Sequence, residues 1–216
     1  MKVIIYGKER PKIGFTQSPE GSITFSIEND TKIQFESEVD DITWLDMFRA
    51  EWKLYDKSES KQVEIFDQFI QEIANLTTTS SERKFFLGYV QECKVSSDEQ
   101  NISIWNYPAL IPQAWVNWIH YDPKDEDRAK RAQKEPFRVD FMLKDSDLCP
   151  DFVIFEIDGS SHFGSMEGYT EHLRKDRWLR KQGWKVIRVS NLEVDQYISF
   201  NLFFAELTGK YVSLPF

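Results

Sequence analysis

The stretch from Phe152 to Val189 constrains the fold more than any other part of the chain. Phe152 to Ile157 is a near-continuous apolar run, the pattern of a strand covered on both faces. Tyr169 to Gln182 follows as a helix, Gly183 stands at its C-terminal stop, and Trp184 to Val189 is a second apolar strand. A strand, a helix and a strand in this order predict two parallel strands joined by a right-handed crossover, hence a sheet with helices packed on it.

Carboxylates sit on these strands. In Phe137 to Leu143 the period of two puts Val139, Phe141 and Leu143 on one face and Arg138, Asp140 and Met142 on the other. In Asp151 to Asp158, Glu156 and Asp158 share a face. A carboxylate in such surroundings is costly unless something compensates it. Hard divalent cations bind through one or two carboxylates plus substrate phosphates, so a pair of this kind suits phosphodiester chemistry. For either acid alone the plainer account is a strand end where charge meets solvent or pairs with Arg138 and Arg188.

The chain has 216 residues, of which 41% are hydrophobic and 15% aromatic, enough for one full core plus an appended unit. No apolar run approaches the roughly 18 to 20 residues of a membrane span, and the start at Met1 to Gly7 is too soon broken for a secretory signal. A cytoplasmic protein is expected. Cys93 and Cys149 have no metal-finger spacing and are expected as reduced thiols in or near the core. A net charge of −9 argues against indiscriminate coating of nucleic acid. Glu171 to Arg188 nevertheless carries seven basic side chains against two acidic ones, whereas residues 1–76 carry nine basic and fifteen acidic ones.

That asymmetry accompanies a change of pattern. Val3 to Tyr6, Ser22 to Ile27 and Lys32 to Phe35 read as strands, the last two joined as a hairpin through Glu28 to Thr31. Trp44, Met47, Phe48, Trp52 and Tyr55, then Val63, Phe66, Ile70 and Ile73, repeat as two amphipathic helices. Asn75 to Ser81 supplies a break and capping residues. The expected organisation is an N-terminal α+β accessory unit at 1–76 and a main domain at 77–216. In the latter, Ile102 to Trp105 and Gln113 to Tyr121 are candidate strands separated by a turn at Pro108 and Pro112, and a final apolar helix after Asn191 ends near Gly209.

Glu82 opens the helix that begins near Ser81. It lies on the stripe of Phe85, Phe86, Tyr89 and Val90, which faces the core. An acid in the first turn can simply cap the helix and meet its dipole, or it can reach the pocket of Asp140 and Glu156.

Helical Glu82, Arg138-Val139-Asp140-Phe141, Glu156-Ile157-Asp158-Gly159-Ser160-Ser161-His162, then Lys175-Asp176-Arg177 and Gly183 to Arg188 together resemble the PD-(D/E)XK nuclease superfamily. The branch they are most similar to is the small domains grouped with very-short-patch repair endonucleases, over roughly residues 77 to 192. The resemblance implies an α/β, restriction-endonuclease-like fold: a mixed central sheet flanked by helices. It implies a metal-dependent endonuclease that hydrolyses DNA, with Asp140, Glu156 and the carbonyl of Ile157 holding Mg²⁺ or Mn²⁺ and Glu82 completing the site through water. Such nucleases serve restriction, repair, mobile elements or phage defence, and the N-terminal unit would select a partner protein or substrate.

This chain departs from the pattern at Asp158, where the superfamily usually has a lysine. An ammonium there orients the attacking water and balances phosphate charge, which a carboxylate cannot do. In the resembling branch Asp158 would bind or orient, and His162 would accept the proton. Gln113 resembles a polar residue that faces the same pocket; an exposed strand-start amide is the plainer alternative. Arg174, Arg177 and Lys181 share a helix face and are candidates to meet phosphates, although a solvated face has the same pattern. The rival to a nuclease is a catalytically inactive nuclease-fold module that binds DNA or supports assembly. RNA is a further substrate class, with no stacking motif in the sequence to prefer it.

Overall fold

In the computed structural model, residues 2–7, 13–17, 23–27, 32–35, 41–52, 59–116, 137–159 and 166–212 are described. The strands are β1 (Lys2–Tyr6), β2 (Ile13–Gln17), β3 (Ile23–Ile27), β4 (Lys32–Phe35), β5 (Leu110–Val116), β6 (Phe137–Leu143), β7 (Val153–Asp158) and β8 (Lys185–Ser190). The helices are α1 (Trp44–Trp52), α2 (Glu59–Ala74), α3 (Ser80–Gln100), α4 (Met166–Lys181), α5 (Asn191–Gln196) and α6 (Phe200–Thr208). They make a mixed α/β fold. One sheet runs β4-β1-β5-β6-β7-β8, and β2 and β3 pair separately. Within the larger sheet only β7 and β8 are parallel, joined through α4 as the apolar run, helix and stop at Gly183 predict.

The sheet has an aromatic face and a charged one. Phe141 and Phe155 project on the side covered by α3 and α6, with Phe85 centred 5.5 and 5.3 Å from their rings and Phe204 5.8 Å from Phe155. Because side chains alternate along a strand, their neighbours Asp140 and Glu156 point to the opposite side. There α4 packs, with Leu179 fully buried and Trp178 edge-on to Trp184 at 5.8 Å.

Residues 1–76 do not stand apart from this framework. β1 pairs with β5 and β4 pairs with β1, so the sheet runs continuously across the boundary expected at residue 77. Trp44 of α1 is fully buried and meets Phe66 of α2 and Phe86 of α3 edge-on, which places α1 and α2 in the same core.

Several local expectations are corrected. β3 and β4 do not form a hairpin: β3 pairs with β2, and β4 takes the free edge of β1, a non-local pairing that turn chemistry alone does not encode. Ile102 to Trp105 is no strand. Asn101 ends α3 in the left-handed region (φ 52°), a short 3-10 turn follows at Ile104–Asn106, and Trp105 is buried as an anchor 4.8 Å from Phe48 and 4.9 Å from Phe66. Pro112 lies inside β5 rather than in a turn. It faces Phe141 of β6, while β1 pairs only with Ala114 and Trp115, so the proline removes no donor from the β1 ladder. The part of the expected strand beyond Val116 lies outside the described residues. The final helix is two helices, broken where Tyr197 turns extended (ψ 142°) and stacks on Phe203. Gly209 ends α6 at φ 87°, as the sequence indicates.

Cys93 and Cys149 are free and buried, and burial pushes the Cys93 thiol up to about 12. Among the described residues no helix is long and apolar enough to cross a membrane.

Candidate functional site

The register of the sheet assembles a polar row. β5 pairs Pro112 with Phe141 and Ala114 with Val139, so the skipped residue between them, Gln113, falls opposite Asp140. β6 pairs Phe141 with Phe155, and one step further along the two strands stand Asp140 and Glu156. β8 pairs Arg188 with Glu156. Gln113, Asp140, Glu156 and Arg188 thus succeed one another across the sheet.

Asp140 Oδ2 accepts a hydrogen bond from the backbone N–H of Ile157 at 2.8 Å. Burial and, after it, the charge of Glu156 push its carboxyl up to about 7, against the opposing pull of the Ile157 N–H and Lys175; Glu82 adds to the upward push. Glu156 is 4% exposed, and burial raises its pKa too, with Lys175 as the main opposing influence.

Lys175, on the sheet-facing side of α4, is the residue that sequence reasoning missed. Its Nζ donates to Glu156 Oε2 at 2.8 Å and to the carbonyl of Arg138 at 2.6 Å, and stands 2.7 Å from Glu156 Oε1 without forming a second hydrogen bond there. A signal was present: Lys175 lies four residues before Leu179, on the buried side of the helix, and a third of a turn from Arg174. Lys175 thus brings an ammonium to Glu156 from the neighbouring helix.

Glu82 is both a cap and a member of the cluster. Thr79 opens α3, its hydroxyl accepting from the Glu82 N–H at 3.1 Å. The Glu82 carboxylate accepts from the N–H and hydroxyl of Thr78 at 2.8 and 2.7 Å and from Gln113 Nε2 at 2.8 Å. With its oxygens so engaged, Glu82 is a poor direct metal ligand and acts on Asp140 through space. Gln113 is fully buried, not an exposed amide, and adopts φ 53° within β5. A left-handed conformation in a non-glycine residue costs on the order of 1–3 kcal/mol and concentrates at functional positions. Gln113 Oε1 is buried without a hydrogen bond.

Asp158 is not part of this cluster's free chemistry. Arg188 grips it bidentately, both contacts at 2.7 Å, and also donates to Asp176 at 2.7 Å and to His172 Nδ1 at 3.2 Å. Its charge is thereby met by Arg188, which stands opposite Glu156 on β8. His162 lies outside the described residues. Arg174, Arg177 and Lys181 are exposed on the far side of α4 from Lys175, so the structure does not bring them to the acidic row.

Among the described residues no group of three or more His, Cys, Asp and Glu side chains is arranged to hold a metal ion. What the row offers is narrower: the Asp140 and Glu156 carboxylates, which disfavour each other's charge, beside the partnerless oxygen of Gln113. An all-oxygen set with two carboxylates fits Mg²⁺, which keeps waters and takes substrate phosphate oxygens to fill its shell.

No curated protein and no solved structure matches the chain. Residues 155–201, from the middle of β7 through α4, β8 and α5 into α6, match the model of the RAP domain, a nucleic-acid-binding type of domain.

Proposed function

We propose that this chain is a nucleic-acid phosphodiesterase of the PD-(D/E)XK kind, with Asp140, Glu156 and Lys175 as its reacting centre. The convergence of Lys175 on Glu156 carries this reading, because it returns to the site, from a different element, the cation that Asp158 cannot supply. Asp140 and Glu156, with the carbonyl of Ile157, would hold Mg²⁺ or Mn²⁺. Such an ion supplies Lewis acidity and a water acidic enough to attack at neutral pH. The ammonium of Lys175 would stand beside the attacking water and balance charge on the phosphate, while Gln113 and Glu82 would fix the position of Asp140's edge of the row. His162 is the proposed proton acceptor. The nuclease resemblance favours DNA as substrate and the RAP match favours RNA; both take the same chemistry. Partner selection by the acidic residues 1–76 belongs to the same proposal.

The test is cleavage of single-stranded, duplex and branched DNA and of RNA with Mg²⁺ or Mn²⁺, beside Asp140→Ala and Glu156→Ala. The parent should cut at least one substrate and both variants none. Cleavage by Asp140→Ala at the parental rate would sink the assignment. A second reading, a nuclease-fold module that binds without cutting, is favoured by the ion pair itself, since Lys175 already neutralises the carboxylate a metal would need. Binding of nucleic acid by a parent that cuts none of the substrates selects it.

A further inference from the structure

The two sides of α4 differ in kind. The side toward the sheet carries Lys175, Asp176 and Leu179, partly or fully buried. The opposite side carries an apolar stripe with much of its surface exposed: Met166 is 79% exposed, Tyr169 45% and Leu173 40%, at spacings of three and four residues. Such a stripe ordinarily faces a core. Here it leads directly into exposed Arg174, Arg177 and Lys181. Tyr169 and Arg177 lie about 12 Å apart along the helix axis, at about 1.5 Å per residue. An aromatic ring and apolar side chains followed by cations, on a chain whose net charge is −9, ask for a partner that is anionic and has flat apolar faces.

We infer that the outer face of α4 grips single-stranded nucleic acid, with an unpaired base on Tyr169, flanked by Met166 and Leu173, and phosphates at Arg174, Arg177 and Lys181. A duplex fits this face poorly, because paired and stacked bases hide the surfaces that Tyr169 would contact and present only phosphate. An apolar groove of a protein would match the stripe and leave the cations unanswered. The inference rests on the proposed function in one respect: it names single strands as the form delivered to the acidic row. The row lies across the thickness of α4, about 10–12 Å with side chains.

The decisive experiment measures binding of the full chain to fluorescent oligouridine, oligothymidine and a short duplex, in EDTA so that no cleavage intervenes. The parent should bind at least one single strand more tightly than the duplex. Tyr169→Ala should weaken that binding about 5- to 100-fold, while Tyr169→Phe keeps it. Arg174→Gln, Arg177→Gln and Lys181→Gln together should lower the slope of log affinity against log salt by about 2. Single-strand affinity within twofold of the parent in Tyr169→Ala, an unchanged salt slope in the triple variant, or preference for the duplex would each overturn the inference. The relative affinities of oligouridine and oligothymidine separate RNA from DNA. Because these readouts need no metal, a grip without cleavage rejects the nuclease and keeps the grip. Cleavage with unaltered binding does the reverse.

Discussion

Replacing Asp140 by Asn should make the protein more tolerant of high pH. In the fold the Asp140 carboxyl is raised from 3.8 to about 7, mainly by burial and then by Glu156. The native state thus holds this proton at pH values where the unfolded chain has released it. Stability from this group is fully present below the unfolded value and is lost as pH rises through about 7. At about 1.4 kcal/mol per pKa unit, the whole shift corresponds to about 4 kcal/mol, of which about 2–3 kcal/mol falls between pH 5 and 8. Asparagine keeps an acceptor for the Ile157 N–H and carries no charge to be buried. Urea unfolding of parent and Asp140→Asn, followed by tryptophan fluorescence, should show the variant gaining about 2–3 kcal/mol on the parent over that pH range. A difference that stays constant within about 0.5 kcal/mol would refute the electrostatic account of the row. If the row takes a divalent cation, Mg²⁺ at pH 8 should restore stability to the parent and leave the variant unchanged.

Lys175→Met should abolish cleavage and lower stability by about 3–5 kcal/mol through the stranded Glu156, and adding Glu156→Gln should recover much of that loss in a denaturant titration. Asp158→Asn should cost about 1.5–3 kcal/mol in the same measurement, by weakening the grip of Arg188, while leaving cleavage measurable. Gly88→Ala should destabilise by about 1–3 kcal/mol, because a β-carbon there would lie 2.4 Å from the Phe200 ring and 2.8 Å from the Tyr197 hydroxyl; a melting temperature equal to the parent's would show that α5 and α6 can shift freely.

The strand-helix-strand unit was legible because three local signals agreed: an apolar run, a helical segment and Gly183 as its stop. The placement of Asp140, Glu156 and Glu82 was legible by parity and helical spacing: Asp140 falls on the face opposite Val139, Phe141 and Leu143, and Glu156 and Glu82 interrupt apolar runs. Lys175 was harder to single out: it sits among six other cations between Glu171 and Arg188, and its spacing of four from apolar Leu179 is the mark that sets it apart. Asp158 illustrates the converse: its place beside Glu156 suggested chemistry, but its partner is thirty residues away on β8. The hairpin expectation failed for a similar reason, as the edge of β1 that receives β4 is not encoded near Lys32. Gln113's unusual backbone has no sequence signal, because φ 53° in a strand is imposed by its surroundings.

The alternation of β6 against β7 makes the acidic row all-or-nothing with respect to frame. Phe141 faces Phe155, and Asp140 and Glu156 occupy the adjoining places. Inserting one residue between Asp140 and Phe141 would keep the aromatic pairing and turn Asp140 away from the row, and it would also swing buried Val139 out of the core. Were the frame held at Asp140 instead, the same insertion would drive Phe141 into the charged side and away from Phe85. The row and the aromatic face are therefore coupled: a relative of this chain would not lose the row by a shift in length within β6 without unpacking its core, and substitution at Asp140 or Glu156 is the change that keeps the sheet and removes the row.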